Sequence, residues 1–148
     1  MTQPQPLFVD TNALVALFDE DDRHYAAANT VMDGIGEGDL AYGPLFTSRY
    51  VLAETATVLL YGAGHREAVD SLSTVRASST FNVLEVTDRL FDRTAEQFAT
   101  YDDQEISFVD HLNSVLGAEF DIDHIFAFEE DFRTLGMVRV PVDTGDAV

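Results

Sequence analysis

Apolar residues come along this chain in two rhythms. Five short runs are unbroken or nearly so: Leu7-Phe8-Val9, Leu45-Phe46-Thr47, Asn82-Val83-Leu84-Glu85-Val86, His124-Ile125-Phe126-Ala127-Phe128 and Met137-Val138-Arg139-Val140. Runs of that length suit strands buried in a sheet. The first predicts a strand over about 7–10, ending on Asp10. Between the runs, apolar residues recur at helical spacing. Helices are predicted to about Phe18, from Arg23 through Ala26, Ala27, Val31 and Met32, from about Arg49 to Tyr61, and from about Arg66 to Val75. Others follow from Asp88 through Phe98, from Ser107 to about Glu119, and briefly from about Glu130 to Leu135. Gly34, Gly36, Gly38 and Asp39 read as the end of the second helix, and Gly62 and Gly64 as the end of the third. That third helix is apolar nearly all round, which predicts burial on every side.

Strands alternating with helices predict an α/β fold: three layers, a five-stranded parallel sheet with helices on both faces, and right-handed crossovers. One domain is expected over 1–148, with residues 1–6 and 141–148 as loose tails. Ligands of such sheets bind beyond the carboxyl ends of the strands. Asp10 falls there, although Asp followed by Thr11 and Asn12 also suits a helix N-cap.

Other acids decide between those readings. Glu54 lies mid-helix among Tyr50, Val51, Val58 and Tyr61, and a Glu in such company is paired, binds a cation or reaches past its neighbours to solvent. Asp110 closes Ser107-Phe108-Val109-Asp110, which is a capping box or an acid in the first turn of a helix. Glu129, Glu130 and Asp131 follow the fourth strand, where the helix dipole favours acids. In the order expected here, that strand neighbours the first across the point where strand order reverses, so its terminal acids face Asp10. Clustered carboxylates repel one another unless a cation joins them, and oxygen-only ligands select Mg²⁺ or Mn²⁺. Such a site supports hydrolysis of a phosphodiester.

These acids, in this order and context, resemble those of the PIN-domain ribonucleases, and above all the VapC-type toxins of toxin–antitoxin pairs. Val9-Asp10-Thr11-Asn12 looks like the first motif, Leu52-Ala53-Glu54 the second and Ser107-Phe108-Val109-Asp110 the third. Asp22, His24 and Ala27 resemble a pattern common after the first helix. The fourth motif departs: where the family shows Thr-x-Asp-x-Asp-Phe, this chain has Ala127-Phe128-Glu129-Glu130-Asp131-Phe132. The resemblance implies a PIN-like, Rossmann-like sheet of order 3-2-1-4-5 and Mg²⁺- or Mn²⁺-dependent RNA cleavage. Asp10, Glu54, Asp110 and Glu129 would be the catalytic and metal-binding acids, with Asp131 the alternative to Glu129 as the fourth metal ligand and Thr11, Asn12 and Ser107 in support. It also implies a homodimer, a small VapB-like antitoxin as partner and a cytoplasmic setting. Arg23, Arg49 and Arg93 are candidate phosphate contacts. Competing readings are a haloacid-dehalogenase-type phosphatase or a receiver domain, both of which need a Lys that is absent, and a catalytically silent PIN-like or acidic binding module.

Composition narrows the setting. The chain has 148 residues, 46% hydrophobic and 11% aromatic, so it can build an ordinary core. Cysteine is absent, and no apolar stretch is long enough to span a membrane. The net charge is −19, and all eight cations are Arg. The acids are scattered rather than gathered in a tail. Such a surface suits molar salt, where the Debye length is only ~3 Å, and points to a halophilic host; an acidic nucleic-acid mimic is the alternative. Accordingly, lowering KCl from about 1 M to about 0.1 M should lower the melting temperature as the screening length grows to ~10 Å. Equal calorimetric melting temperatures at both salts would remove the halophile argument.

Overall fold

The computed structural model describes residues 3–146. Its elements are β1 Gln5–Val9, α1 Thr11–Phe18, α2 Tyr25–Glu37, β2 Tyr42–Ser48, α3 Arg49–Gly62, α4 His65–Ala77, β3 Phe81–Leu84, α5 Asp88–Thr100, α6 Phe108–Glu119, β4 His124–Ala127, α7 Asp131–Thr134 and β5 Val138–Pro141. All strand pairs are parallel and the order is β3-β2-β1-β4-β5. Strand order reverses between β1 and β4. Leu7, Phe8 and Val9 are wholly buried, as are Ile125, Phe126 and Ala127 beside them, which is why both runs lack polar alternation. Helices cover both sides of the sheet, with α1 against α2 and α3, α3 against α4, and α5 against α6.

Several boundaries differ from those expected. Helix α2 runs through Gly34 and Gly36 and stops at Gly38, whose φ of 80° is the left-handed turn that ends it. Gly34 is there for space: a Cβ would meet Leu40 Cγ at 2.9 Å, where the chain folds back over the helix. Strand β2 begins at Tyr42, earlier than Leu45, because Gln5 pairs with Tyr42 and Leu7 with Leu45; the extra residue at Gly43-Pro44 sits in a bulge. Strand β3 is Phe81–Leu84, starting one residue before the expected run and ending two before its close.

Helix α3 is not buried all round. Val51, Leu52, Thr55 and Leu59 face inward, whereas Tyr50, Val58, Leu60 and Tyr61 are 39, 44, 39 and 84% exposed. Only one side meets α1 and α4, so an evenly apolar helix leaves an uncovered face. Nor are the described parts of the expected tails loose; residues 1, 2, 147 and 148 lie outside the described residues. Gln5 and Pro6 belong to β1, Pro141 pairs with Ala127, and Tyr42 donates to Asp146 Oδ2 at 3.1 Å. Asp143 accepts from the backbone N–H of Arg139 at 2.9 Å, and from its Nε at 3.1 Å and Nη2 at 2.8 Å.

Gly117 packs where α6 meets the loop into β4. A Cβ there would lie 2.6 Å from Ile122 O and 2.9 Å from Met137 Cε, and backbone cannot yield cheaply. Gly117→Ala should therefore destabilise the protein by roughly 1–3 kcal/mol. Gly36→Ala, with nothing within 4 Å of the new methyl, should instead stabilise by up to ~1 kcal/mol. Urea denaturation of the two variants checks this, and matching midpoints would show that α6 is not tightly docked.

Candidate active site

Asp10 ends β1 and starts α1. Its backbone N–H donates to Phe126 O at 3.1 Å, fixing it beside β4. Its carboxylate caps α1 by accepting from Asn12 N at 3.5 Å, so the capping reading holds. The other oxygen accepts from Asn113 Nδ2 at 2.8 Å. Asp10 is only 2% exposed. Burial, set against the N–H groups of Thr11 and Asn12 and reinforced by the charges of Glu129 and Glu54, pushes its pKa up to about 7.

Asp110 enters from the first turn of α6. Ser107 Oγ accepts from Asp110 N at 3.2 Å, which is one half of the capping box. Among the described residues no donor returns to the Asp110 carboxylate, so the side chain is left to the cavity. Burial first, then the charges of Asp10, Glu129, Glu54 and Asp131, push it up to about 8. Carboxylate oxygens of Asp110, Glu129 and Asp131 lie within 4.8 Å of one another. Glu54, half-buried on α3, reaches the same place because α1 packs on α3. One cavity of about 420 Å³ is lined by Asp10, Glu54, Asp110, Glu129 and Asp131, with Thr11, Asn12 and Ser107.

The loop carrying Glu129 is held by its backbone. Phe128 N donates to Asn12 Oδ1 at 3.3 Å, and Phe128 O accepts from Arg139 Nη1 at 3.3 Å. The Phe128 ring stacks on His24 at 4.1 Å, and Asp22 in turn accepts from His24 N at 2.8 Å. Of the three candidate phosphate contacts, Arg23 stands near Glu129 and Asp131, whereas Arg49 opens onto a different cavity. Arg93 pairs with Glu119 at 3.5 Å, at the end of α6 remote from Asp110, and is not brought to the site.

Sequence reasoning missed Asn113 and Glu105, and it named Asp22 only as part of a pattern after the first helix, without placing it at the site. Asp22 and Glu105 line the cavity, and Asn113 is wholly buried with its amide on Asp10. A signal for Asn113 existed: it lies three residues after Asp110, on the same helical face. The donor set suits a divalent cation. All the lining acids offer oxygen, no His among the described residues lines the cavity, two carboxyls resist ionisation, and the buried Thr11 hydroxyl has no hydrogen-bond partner among the described residues.

Comparison with known proteins agrees with this geometry. The sequence model described as "PIN domain" matches residues 7–136. The chain is 32% identical over 136 residues to the 23S rRNA-specific endonuclease VapC20 of Mycobacterium tuberculosis, in strain CDC 1551 and in strain H37Rv alike, covering 90% of this chain and 97% of that protein. The crystal structure of M. tuberculosis VapC20, a sarcin–ricin loop cleaving toxin, superposes with a TM-score of 0.80 at 31% identity over 89% of this chain and 96% of that one. The chain belongs to the PIN-domain family, with the sheet order that the resemblance implied.

The two raised carboxyls make stability depend on pH. Each binds more protons folded than unfolded. Without a cation, their contribution is complete below the ordinary value of 3.8 and is lost as pH rises through about 7 for Asp10 and about 8 for Asp110. The chelator-treated protein should thus melt at a lower temperature near pH 8.5 than near pH 5.5. Asp10→Asn keeps an acceptor for Asn113 and never ionises. It should raise the melting temperature near pH 8.5 by at least about 3 °C, the shift that ~1 kcal/mol gives in a domain of this size. Calorimetry at both pH values decides, and a variant no more stable than wild type would mean that Asp10 is not strained by its ionisation.

Proposed function

We propose that this chain is an Mg²⁺- or Mn²⁺-dependent endoribonuclease and the toxin of a toxin–antitoxin pair. The observation that carries the reading is the convergence of Asp10, Glu54, Asp110, Glu129 and Asp131 on one cavity at the carboxyl edge of the sheet. Asp10, Asp110 and Glu129 would hold the cation, with Asp131 as a further ligand. A divalent cation supplies Lewis acidity toward a phosphoryl oxygen and makes water a better nucleophile at neutral pH. Glu54, brought in separately by α3, is placed to take the proton released as water attacks phosphorus and the bond to the leaving oxygen breaks. Asn113 and the N–H groups at the start of α1 orient Asp10. Ser107 orients the first turn of α6, and Asn12 fixes the Phe128 peptide ahead of Glu129.

Two features support the partners. The uncovered apolar face of α3 is the kind of patch that a second copy covers, and we assign the homodimer to it. The VapC20 likeness supports a small VapB-like antitoxin and an RNA substrate, and makes a ribosomal sarcin–ricin loop the first RNA to try. No helix among the described residues is long and apolar enough to cross a membrane, which accords with action on cytoplasmic RNA.

Single-turnover cleavage of that RNA across a Mn²⁺ titration tests the assignment. Asp10→Asn and Asp110→Asn should each lower the rate by at least about 10³-fold, the scale of several kcal/mol of lost transition-state stabilisation. Glu129→Gln should cost more than Asp131→Asn, and Glu129→Asp should retain most activity. Full activity of both Asn variants would overturn the active-site assignment. A neutral Glu129→Gln beside a damaging Asp131→Asn would move the last ligand to Asp131.

A further inference from the structure

Cations are scarce in this chain, and most are committed. Arg66 faces Asp70, Arg89 and Arg93 share Glu119, Arg133 reaches Glu130 and Asp143, and Arg139 is locked to Asp143. Among the described residues, Arg23, Arg49 and Arg76 form no ion pair. Two of these, Arg49 and Arg76, line a single cavity of about 460 Å³ together with Leu52, Val83, Leu84 and Glu85. Two unpaired guanidiniums at one cavity is not what scattered surface charge produces in a protein of net charge −19.

The cavity's place in the fold matters more than its charge. Ser48 pairs with Leu84 at the carboxyl ends of β2 and β3, and Arg49 and Glu85 are the next residues of each. The acid cavity occupies the carboxyl ends of β1 and β4. Both therefore open along one edge of the sheet, two strand positions apart, or about 10 Å at ~4.8 Å per strand. Along α3, Arg49 precedes Glu54 by about 7.5 Å of helix axis. A stacked nucleotide advances about 3.4 Å, so the gap corresponds to roughly three nucleotides.

The geometry points to the Arg49–Arg76 cavity as a subsite for a backbone phosphate of the RNA, roughly three stacked nucleotides from the bond cut at the acid cluster. This rests on the ribonuclease reading above. A polyanion approaching so acidic a surface is repelled, and only local cations can seat it. The planar guanidinium fork suits a phosphate better than an ammonium does. Leu52, Val83 and Leu84 give the apolar wall against which a sugar or base can lie. An acidic protein segment would satisfy the same arginines. RNA is favoured because the cavity shares an edge with the acids at nucleotide spacing.

The test uses the whole protein and the double variant Arg49→Gln/Arg76→Gln. Binding of a labelled single-stranded RNA of about twelve nucleotides is followed by fluorescence anisotropy, with Ca²⁺ in place of the catalytic ion and KCl from about 0.1 to 0.5 M. The variant should bind at least about tenfold more weakly at the lower salt. Its plot of log affinity against log salt should be shallower by about 0.7, the slope of one phosphate contact on a single strand. In Mn²⁺, the ratio of kcat/KM for this RNA to that for bis(p-nitrophenyl) phosphate, which spans the acid site alone, should fall by a similar factor. Arg49→Lys/Arg76→Lys should recover part of the loss. Unchanged RNA affinity and slope overturn the proposal. So does an unchanged RNA affinity with lost antitoxin binding, which would make the cavity a protein-docking site. An equal loss on both substrates also overturns it, since the acid cluster would then have been disturbed. If the wild type cleaves neither substrate but the arginine-dependent binding is present, the subsite stands and the ribonuclease reading falls.

Discussion

The burial of carboxylates close to one another is the constraint around which this molecule is built. Asp10 is nearly inaccessible at the end of the central strand, and burial first, then the charges of Glu129 and Glu54, raise its pKa. A group so placed survives only if its surroundings are rigid and polar where they must be. Asn113 donates to it at 2.8 Å, the start of α1 presents backbone N–H groups, and wholly buried apolar residues on β1 and β4 prevent any retreat. The strain is concentrated at the one place where strand order reverses. There the chain leaves the sheet and adjacent loops diverge, leaving a cleft without costing core packing.

Much of this was legible in the sequence because it depends on local pattern. The unbroken runs at Leu7-Phe8-Val9 and Ile125-Phe126-Ala127 can satisfy their apolar faces only between two helical layers, and they do. Asp10 and Asp110 sit directly beside strong signals, a strand end and a Ser-x-x-Asp box, so their placement followed. What was not legible depends on distant partners. The helix of Tyr50, Val58, Leu60 and Tyr61 looked buried because composition says how apolar a face is and nothing about whether the same chain covers it. Gly34 looked like a stop, yet it is a contact with Leu40 that no periodicity reveals. Pro141 and Asp143 looked like the start of a tail, yet Pro141 pairs with Ala127 in the sheet and Asp143 is held by the buried Arg139.

Charge is distributed unequally between structure and surface. Arg139 is 5% exposed and is matched by Asp143, which keeps that carboxyl's pKa below the ordinary range. Its ion pair is part of the fold and responds little to salt. The remaining pairs are more exposed, such as Arg66 with Asp70, and contribute little. Among the described residues, most of the acids form no ion pair. A surface of this kind leaves recognition to a few defined places.

The Phe128 peptide has a consequence in time. Its N–H is held by Asn12, from the start of the chain, and its carbonyl by Arg139, from the last strand of the sheet, which Asp143 locks in turn. Synthesis runs from the amino end, so Asp10, Glu54, Asp110 and even Glu129 leave the ribosome before the residues that grip Glu129's loop. The second of these two bonds forms only as β5 docks. A chain in which β5 has not yet been made therefore has these acids in its sequence but lacks the Phe128–Arg139 bond that holds Glu129's loop beside them.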